Sequence, residues 1–461
     1  MPINQSEENK AVDTQRLEIT ETRNVAGIGE AKLCCSCGGC VWVCPRNAIS
    51  LVETVGGYLL PNINPASCAA CGMCLSICPG AGLDKDVADL LPQDCFAGAC
   101  LQALVGKATD PIVFNNSQSG GIVTALLAHA LENGEIGGAV ITLMEHGNPP
   151  RPAVNLARSV EEIKQAQKSK YAPVPLLVAL EEVECLNKPV ALVGVACHIH
   201  GLLNILARFP RLKSKIKFVI GLVCDRVMTL AAIDFLVGQA DLLCKDNTML
   251  HFRDKLGAGY PGNVHIITAS GASVSLPPST RVQMKDFFTP ARCRLCFDKM
   301  NVLADIVVCD PHGIPGIDRK GGESVAIIRT ETGRRIFQSA IEQSALIARV
   351  IKYEDVLAGQ KINKKRTMWR GYTDAWQQLG YPRPGYSAKV DMSAGPLQKR
   401  PAYLRQLQHA LSLDNHVSRE NLLKRAKRHL YFQKLKKLST YSYLASQKVF
   451  ESIMKLVCWR G

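Results

Sequence analysis

The sequence predicts an α/β protein: a small α+β cysteine-rich module, a larger mixed-sheet α/β domain and a basic helical tail. Three observations carry this. A four-cysteine pattern occurs twice near the N-terminus. From about residue 118 to residue 349, short β-branched runs alternate with amphipathic stretches, as strands and helices do when they form layers. Residues 399–461 carry 14 Lys or Arg against 3 Asp or Glu, so most of the net charge of +15 sits in that tail. With 461 residues, 47% hydrophobic and 21% charged, the chain is long enough for two or three domains with ample cores.

Taken in order, residues 1–30 are polar and have no apolar segment, which predicts a disordered tail and no signal peptide. Residues 31–84 hold the repeat. Cys34, Cys37, Cys40 and Cys44 recur as Cys68, Cys71, Cys74 and Cys78 at a constant offset of 34 residues. Each set ends in proline (Pro45, Pro79), and Gly38 matches Gly72. Strands at 48–53 and 57–60 flank the Gly56-Gly57 turn.

The spacing C-x2-C-x2-C-x3-C-P is that of bacterial two-cluster ferredoxins. Three thiolates of one tight loop reach one 4Fe-4S cubane and the fourth reaches the other. Cys34, Cys37, Cys40 and Cys78 are therefore assigned to one cluster, and Cys68, Cys71, Cys74 and Cys44 to the second. Zinc knuckles instead separate two C-x2-C pairs by a longer loop. Cys35 is spare, since the repeat offset favours Cys34 as the ligand. Nineteen cysteines in a long chain without an export segment point to metal or redox chemistry in the cytoplasm. No run approaches the roughly 18 apolar residues of a membrane span.

Residues 122–131 read as a helix stopped by Asn133-Gly134. Strands are expected at 139–143, 189–195, 218–223, 306–308 and 325–328, a helix at 199–206, and a hairpin over 264–268 and 272–276 around Ser270-Gly271. Polar composition with Pro382, Pro384 and Pro396 predicts a linker over 354–400. Residues 401–461 read as a basic amphipathic helical tail. Such a tail docks on a membrane surface or a partner, or packs on its own domain with a solvated charged face. The charge lies in a tail and not in a groove with stacking aromatics, which argues against nucleic acid.

Four further cysteines are dispersed. Cys197 and Cys224 end apolar strands, where α/β sheets place their sites, and Cys293 and Cys296 form a lone CxxC. Buried core cysteines and a third metal site are both open readings of these four. Cys95, Cys100, Cys185, Cys244 and Cys458 have no patterned partner and read as structural. His198 and His200 read as satisfied histidines at a helix start, with a proton relay as the alternative.

Six motifs occur in order: SQSGGIVTA at 117–125, KSKYAP at 168–173, VGVACH at 193–198, GLVC at 221–224, CRLCFD at 293–298 and ADIVVCD at 304–310. In these the chain resembles the β-subunit family of coenzyme F420-reducing hydrogenase and F420-linked dehydrogenases, over about three quarters of its length. The resemblance implies that residues 85–165 and 166–353 are the N- and C-terminal regions of an FAD-binding α/β unit. It implies a third 4Fe-4S cluster on Cys197, Cys224, Cys293 and Cys296. Flavin contacts are expected from Ser117, Ser119, Gly120, Gly121 and Thr124, from Lys168, Ser169, Lys170 and Tyr171, and from Asp298 and Asp310. Gly120-Gly121 opens a helix, and an exposed helix N-terminus is a ready phosphate site; a plain N-cap with packing glycines is the alternative. The chain departs from the family at Val195-Ala196 (usually Thr-Pro), His198 (usually Gln) and Cys309 (usually Gly).

The expected function is an iron–sulfur flavoprotein oxidoreductase. It would pass electrons between a hydride-carrying coenzyme, coenzyme F420 first, and ferredoxin or a hydrogenase or dehydrogenase subunit. Competing readings are a related reductase of a tetrapyrrole or polysaccharide-pathway intermediate, and a non-catalytic electron carrier. The expected location is cytoplasmic, with peripheral membrane contact through the tail as an option.

Overall fold

The structure, a computed structural model, describes residues 23–240 and 247–432. The N-terminal module is an antiparallel hairpin, β1 (Ile49–Glu53) and β2 (Leu59–Ile63), paired from Ile49↔Ile63 to Glu53↔Leu59. Two short helices, Gly39–Val43 and Met73–Ser76, follow the equivalent cysteine loops. Gly38 (φ 84°) and Gly72 (φ 79°) stand in the left-handed region at the head of these helices, a conformation glycine adopts without steric cost. The sequence repeat is thus also a conformational repeat.

The large domain is built on an eight-stranded sheet. In chain order its strands are β3 (Gln102–Ala108), β4 (Gly138–Glu145), β5 (Arg151–Ala157), β6 (Val190–Val195) and β7 (Ile216–Leu222). A small antiparallel sheet of β8 (Thr248–Asp254), β9 (Asn263–Thr268) and β10 (Ser273–Leu276) follows, and then β11 (Ile306–Cys309), β12 (Ser324–Ile328) and β13 (Leu346–Val350) complete the large sheet. The large-sheet order is β13-β3-β12-β11-β7-β6-β4-β5. Its centre, β11-β7-β6-β4, is parallel and its edges are antiparallel, so it is a mixed sheet. The central strands are apolar nearly throughout because helices cover both faces. Helix Ala196–Arg208 crosses from β6 to β7, and helix Ile122–Glu132 covers the other face with Leu126, Leu127 and Ala130 buried. The expected hairpin at β9-β10 is present.

Three sequence expectations change. Residues 24–30, expected in a disordered tail, carry helix Ala26–Glu30, and Val25 and Ile28 are buried in the main core. Residues 1–22 lie outside the described residues. The expected linker is instead folded: helices Tyr353–Gly359, Ile362–Gln378 and Ala388–Ser393 occupy it. The reason is an aromatic stripe within polar surroundings. Trp369, Tyr372 and Trp376 recur at helical spacing, all three are buried, and the Trp369 indole N–H donates to the Leu295 carbonyl at 2.9 Å. Finally, the tail packs on its own domain as far as it is described. Helix Pro401–Leu411 buries Leu407 and Ala410, and residues 419–432 are helical with Leu422 and Ala426 buried. The basic segment at 433–461 lies outside the described residues. Among the described residues no helix is long and apolar enough to cross a membrane.

The module and the domain share one hydrophobic core. Leu177 N–H donates to the Cys37 carbonyl at 2.8 Å, and a Cβ on Gly38 would meet the Pro175 carbonyl at 2.8 Å, so the cluster loop lies directly on the domain.

Candidate functional site

Cys34, Cys37, Cys40 and Cys78 line one small cavity with Ile28 and Ile77. The Ser36 N–H donates to Cys34 Sγ at 3.3 Å, a bond that favours a thiolate there. Burial, reinforced by neighbouring thiols, pushes Cys37 and Cys40 well above the usual thiol range. A metal bound here takes the place of those protons. The second set is more open. Cys71 and Cys44 both act electrostatically on Cys74, the Ala48 N–H donates to Cys44 Sγ at 3.3 Å, and Asn24 Nδ2 reaches Cys68 Sγ at 3.8 Å. Cys71 is exposed. Cys78 thus lines a cavity with the first three cysteines of the other set, and Cys44 acts on Cys74. All described cysteines are free thiols, with no disulfide among them.

The dispersed cysteines also converge. Cys197 sits in the first turn of the helix after β6, and Cys224 lies just past β7, at the carboxyl ends of adjacent parallel strands. Cys293 and Cys296 come from the short helix Ala291–Arg294 and the residues after it. Cys224 and Cys296 both act on Cys197, and Cys293 and Cys296 both act on Cys224. Arg292 stands against this group. It is 4% exposed, its Nη2 donates to the Pro79 carbonyl at 3.1 Å, and its Nε and Nη1 have no partner among the described residues. A buried guanidinium with spare N–H groups beside four thiols suits a cluster, whose thiolates carry negative charge.

Cys197 and Cys224 open onto a cavity of about 990 Å³ that reaches the 117–124 turn and the 168–173 segment. Ten Lys or Arg line it against two Asp, Asp225 and Asp310. Two of the cations have unspent donors: Arg253 Nη2 and Arg281 Nε are buried without a partner among the described residues. Burial lowers the Arg281 pKa, with Arg253 adding repulsion. Such a cavity fits an anionic ligand with apolar parts, as a flavin dinucleotide has.

The expected flavin contacts divide. Ser117, Ser119, Gly121 and Thr124 line the cavity, as do Lys168, Ser169, Lys170, Tyr171 and Asp310. Gly120 does not line it. A Cβ there would lie 2.5 Å from the Gly106 carbonyl oxygen and 2.6 Å from Ser324 N, so this glycine serves packing on β3 and β12. Asp298 is also away from the cavity. It is fully buried, pairs with His200 Nε2 at 3.0 Å and accepts from Val302 N–H, which fixes the loop after Cys296. His198 is likewise paired, with the Val174 carbonyl at 3.0 Å. Lys168 Nζ lies 3.0 Å from Asp254 Oδ2 and 3.2 Å from His251 Nδ1. His251, Asp254 and His265 could jointly hold a metal by spacing, but the Lys168 ammonium already supplies the positive charge there. Burial lowers Lys170 to about 7, with Lys168 repulsion adding to it.

Sequence reasoning missed Arg253, Arg281 and Arg292 and the lysines at 361, 364 and 365. The last three come from the segment expected to be a linker. The run Lys361-Ile-Asn-Lys-Lys-Arg366 was the available signal.

Two models of one family match, both described as coenzyme F420 hydrogenase/dehydrogenase, beta subunit: its N-terminal model covers residues 103–181 and its C-terminal model residues 187–353. The coenzyme F420 hydrogenase subunit beta of Methanosarcina barkeri is 24% identical over 285 residues, covering 59% of this chain and 89% of the relative. A subunit of the F(420)H(2) dehydrogenase of Methanosarcina mazei is 27% identical over 338 residues, covering 70% and 86%. The coenzyme F420-dependent sulfite reductase of Methanocaldococcus jannaschii is 30% identical over 231 residues, covering 49% of this chain and 35% of that enzyme. Among solved structures, a chain of the F420-reducing NiFe hydrogenase complex from Methanosarcina barkeri matches with TM-score 0.48 and 22% identity, over 64% of this chain and 98% of that one. The two family models together span more than half of the sequence, and the chain belongs to the coenzyme F420 hydrogenase/dehydrogenase beta-subunit family.

Proposed function

We propose that this protein is an oxidoreductase that exchanges electrons between an anionic hydride-carrying coenzyme, coenzyme F420 first, and a partner redox subunit. One observation carries the reading. The Cys197, Cys224, Cys293 and Cys296 set opens onto the cation-lined cavity on one side and meets the N-terminal cysteine module, through Arg292 and Pro79, on the other. An FAD held in this cavity by the 117–124 turn, the 168–171 segment and Arg253 and Arg281 would supply exchange of a hydride with an organic coenzyme and of single electrons with clusters.

The chain's own residues do the rest. Arg253 and Arg281 present unspent N–H groups to phosphate or carboxylate oxygens. Arg253 is aimed by Asp310, whose Oδ2 accepts from Nη1 at 2.6 Å, and by the Pro261 carbonyl at 2.8 Å. Lys255 ties the 117–121 turn to the loop at Gly321, donating to the Ser119 and Gly321 carbonyls at 2.8 and 2.9 Å. The three lysines at 361, 364 and 365 add charge at the cavity wall, where an acidic coenzyme tail would lie. The twelve cysteines of the three sets would hold three 4Fe-4S clusters, and the exposed Cys71 puts the second set at the surface a partner would reach.

The relatives named as hydrogenase and dehydrogenase subunits support a partner subunit and coenzyme F420 as the first substrate to try. The test is anaerobic purification with iron, sulfide and flavin quantified, followed by reduction with the reduced deazaflavin. About twelve irons and one FAD per chain, with bleaching of the flavin by reduced F420, are expected. About eight irons without flavin would leave only an electron carrier. Flavin that ignores F420 would transfer the reading to another organic substrate.

A further inference from the structure

The large cavity has a polar outlet that no cysteine touches. Lys168 lines the cavity, and its ammonium lies 3.0 Å from Asp254 Oδ2 and 3.2 Å from His251 Nδ1, two residues that do not line it. His251 Nδ1 and His265 Nδ1 stand 3.0 and 3.5 Å from the same carboxylate oxygen. Exposure rises along this line. The side chains of Lys168 and Asp254 are 4% and 5% exposed, and those of His251 and His265 are 26% and 29% exposed. The four groups therefore lead from the cavity wall to solvent.

The fold builds this line with two departures from regular backbone. Residues three apart on a strand face opposite sides, so His251 and Asp254 of β8 would not meet in an ideal strand. Here β8 pairs His251 with His265 and Asp254 with Asn263, three residues against two, and the extra residue brings the carboxylate round to the histidine. Lys168 stands at φ 70°, in the left-handed region that residues with side chains seldom take. Departures of both kinds gather at functional sites.

A hydride is two electrons and one proton, and clusters accept electrons alone. Each hydride passed inward from the coenzyme therefore leaves one proton in the cavity, and flow in the other direction consumes one. A cavity lined by cations repels that proton.

We propose that Lys168 and His251, with Asp254 between them, carry this proton between the cavity and solvent. Outward, the Lys168 ammonium gives a proton to neutral His251 at Nδ1. The imidazolium loses its Nε2 proton to water, and the Lys168 amine takes the proton left in the cavity. Exchange with water then resets the imidazole tautomer. One proton leaves per hydride, and no electron moves along this branch. Asp254 stays ionised and stabilises the positive charge on either partner. The charged groups facing His251 are Lys168 and Lys170 from the 168–171 segment, Asp254 from its own strand and His265 from β9. Burial lowers the His251 pKa; the Asp254 hydrogen bond opposes this, and the two lysines add to it. The resting imidazole is therefore neutral at pH 7 and free to accept.

The inference rests on the hydride reading above, and turnover of the wild-type protein separates the two. Wild type, His251→Gln and Lys168→Arg are purified anaerobically. They are assayed with the reduced deazaflavin and benzyl viologen, a one-electron acceptor, with rates taken per bound flavin. Arginine keeps the cation beside Asp254 but cannot release its proton. Both variants should lower kcat about a hundredfold, the scale of a positioned proton carrier. His251→Gln should leave KM for the coenzyme unchanged and should recover turnover in added imidazole. A second readout needs no turnover. In NMR of isotope-labelled histidines, the resonance missing from His251→Gln should titrate at higher pH in Lys168→Met than in wild type, because the facing ammonium is gone. Lys168→Arg at the wild-type rate would show that the lysine supplies charge alone and overturn the relay. His251→Gln at the wild-type rate, or a His251 titration unmoved by Lys168→Met, would overturn it equally. Wild-type protein that binds flavin and ignores the deazaflavin would remove the reading with that coenzyme, and this inference with it.

Discussion

Asn204 accepts a hydrogen bond from the Asp84 backbone N–H at 2.8 Å, joining the helix that carries Cys197 to the segment that follows Cys78. The same side chain donates to the Ile77 and Gly82 carbonyls at 3.2 and 3.0 Å and is fully buried. One amide thus satisfies three backbone groups of the cysteine module and fixes its distance from the large domain. Replacing Asn204 with Leu strands those groups, each at a cost of about 1–3 kcal/mol. Hydrogen exchange should show residues 77–84 losing protection while the central strands keep theirs. Unchanged exchange there would mean that apolar packing alone docks the module.

Cys224 tests the third set apart from the repeat. Cys224→Ser should lower iron by about four per chain, one cubane, and leave the signals of the N-terminal pair intact. Iron unchanged from wild type, measured on anaerobically prepared protein, would return Cys224 to the core.

Arg281 has an unspent buried donor, stacks over Tyr171 at 4.7 Å and meets no acidic side chain at hydrogen-bond distance among the described residues. Its charge is free for an anion. Arg281→Gln should weaken binding of an anionic ligand about tenfold, which corresponds to about 1.4 kcal/mol. The loss should shrink in high salt, because screening already weakens the wild-type interaction. Titration of flavin and of deazaflavin separately would show which of the two the guanidinium holds.

Asp254 is buried, and despite that burial the His251 and Leu256 hydrogen bonds and Lys168 hold its carboxyl well below the usual range. A depressed carboxylate contributes stability that is fully present above its unfolded pKa of about 3.9 and is lost as the pH falls through its folded value. At neutral pH the pair is intact. Asp254→Asn leaves Lys168 as an uncompensated buried cation and should cost about 3–5 kcal/mol in denaturant unfolding. Adding Lys168→Met should recover most of that loss. A double variant as unstable as the single one would show that the carboxylate acts through His251 or the 254–256 turn instead.

What could be read in the sequence was what lies close along the chain. Cys34, Cys37, Cys40 and Cys44 are separated by two or three residues, and so are their counterparts from Cys68 to Cys78. At that spacing the backbone allows few geometries, so the gathering of three cysteines on one tight loop is a local property of the sequence. The buried strands Val190–Val195 and Ile216–Leu222 were legible for the same reason: their apolar runs leave no polar face to solvate. The aromatic spacing of Trp369, Tyr372 and Trp376 is present but masked by polar neighbours and prolines, so a packed helix reads as a linker.

Tertiary structure decided what depends on distant segments meeting. Arg253 on β8, Arg281 on the helix Pro278–Phe288 and the lysines at 361, 364 and 365 converge on one cavity only because the small sheet and the C-terminal helices fold over the large sheet. No periodicity encodes that convergence, since each residue is an ordinary cation within its own element. The division of Cys34 from Cys35 is the sharpest case. Adjacent in the chain and identical in chemistry, both line the small cavity, and Cys35 alone of the two also reaches the large one.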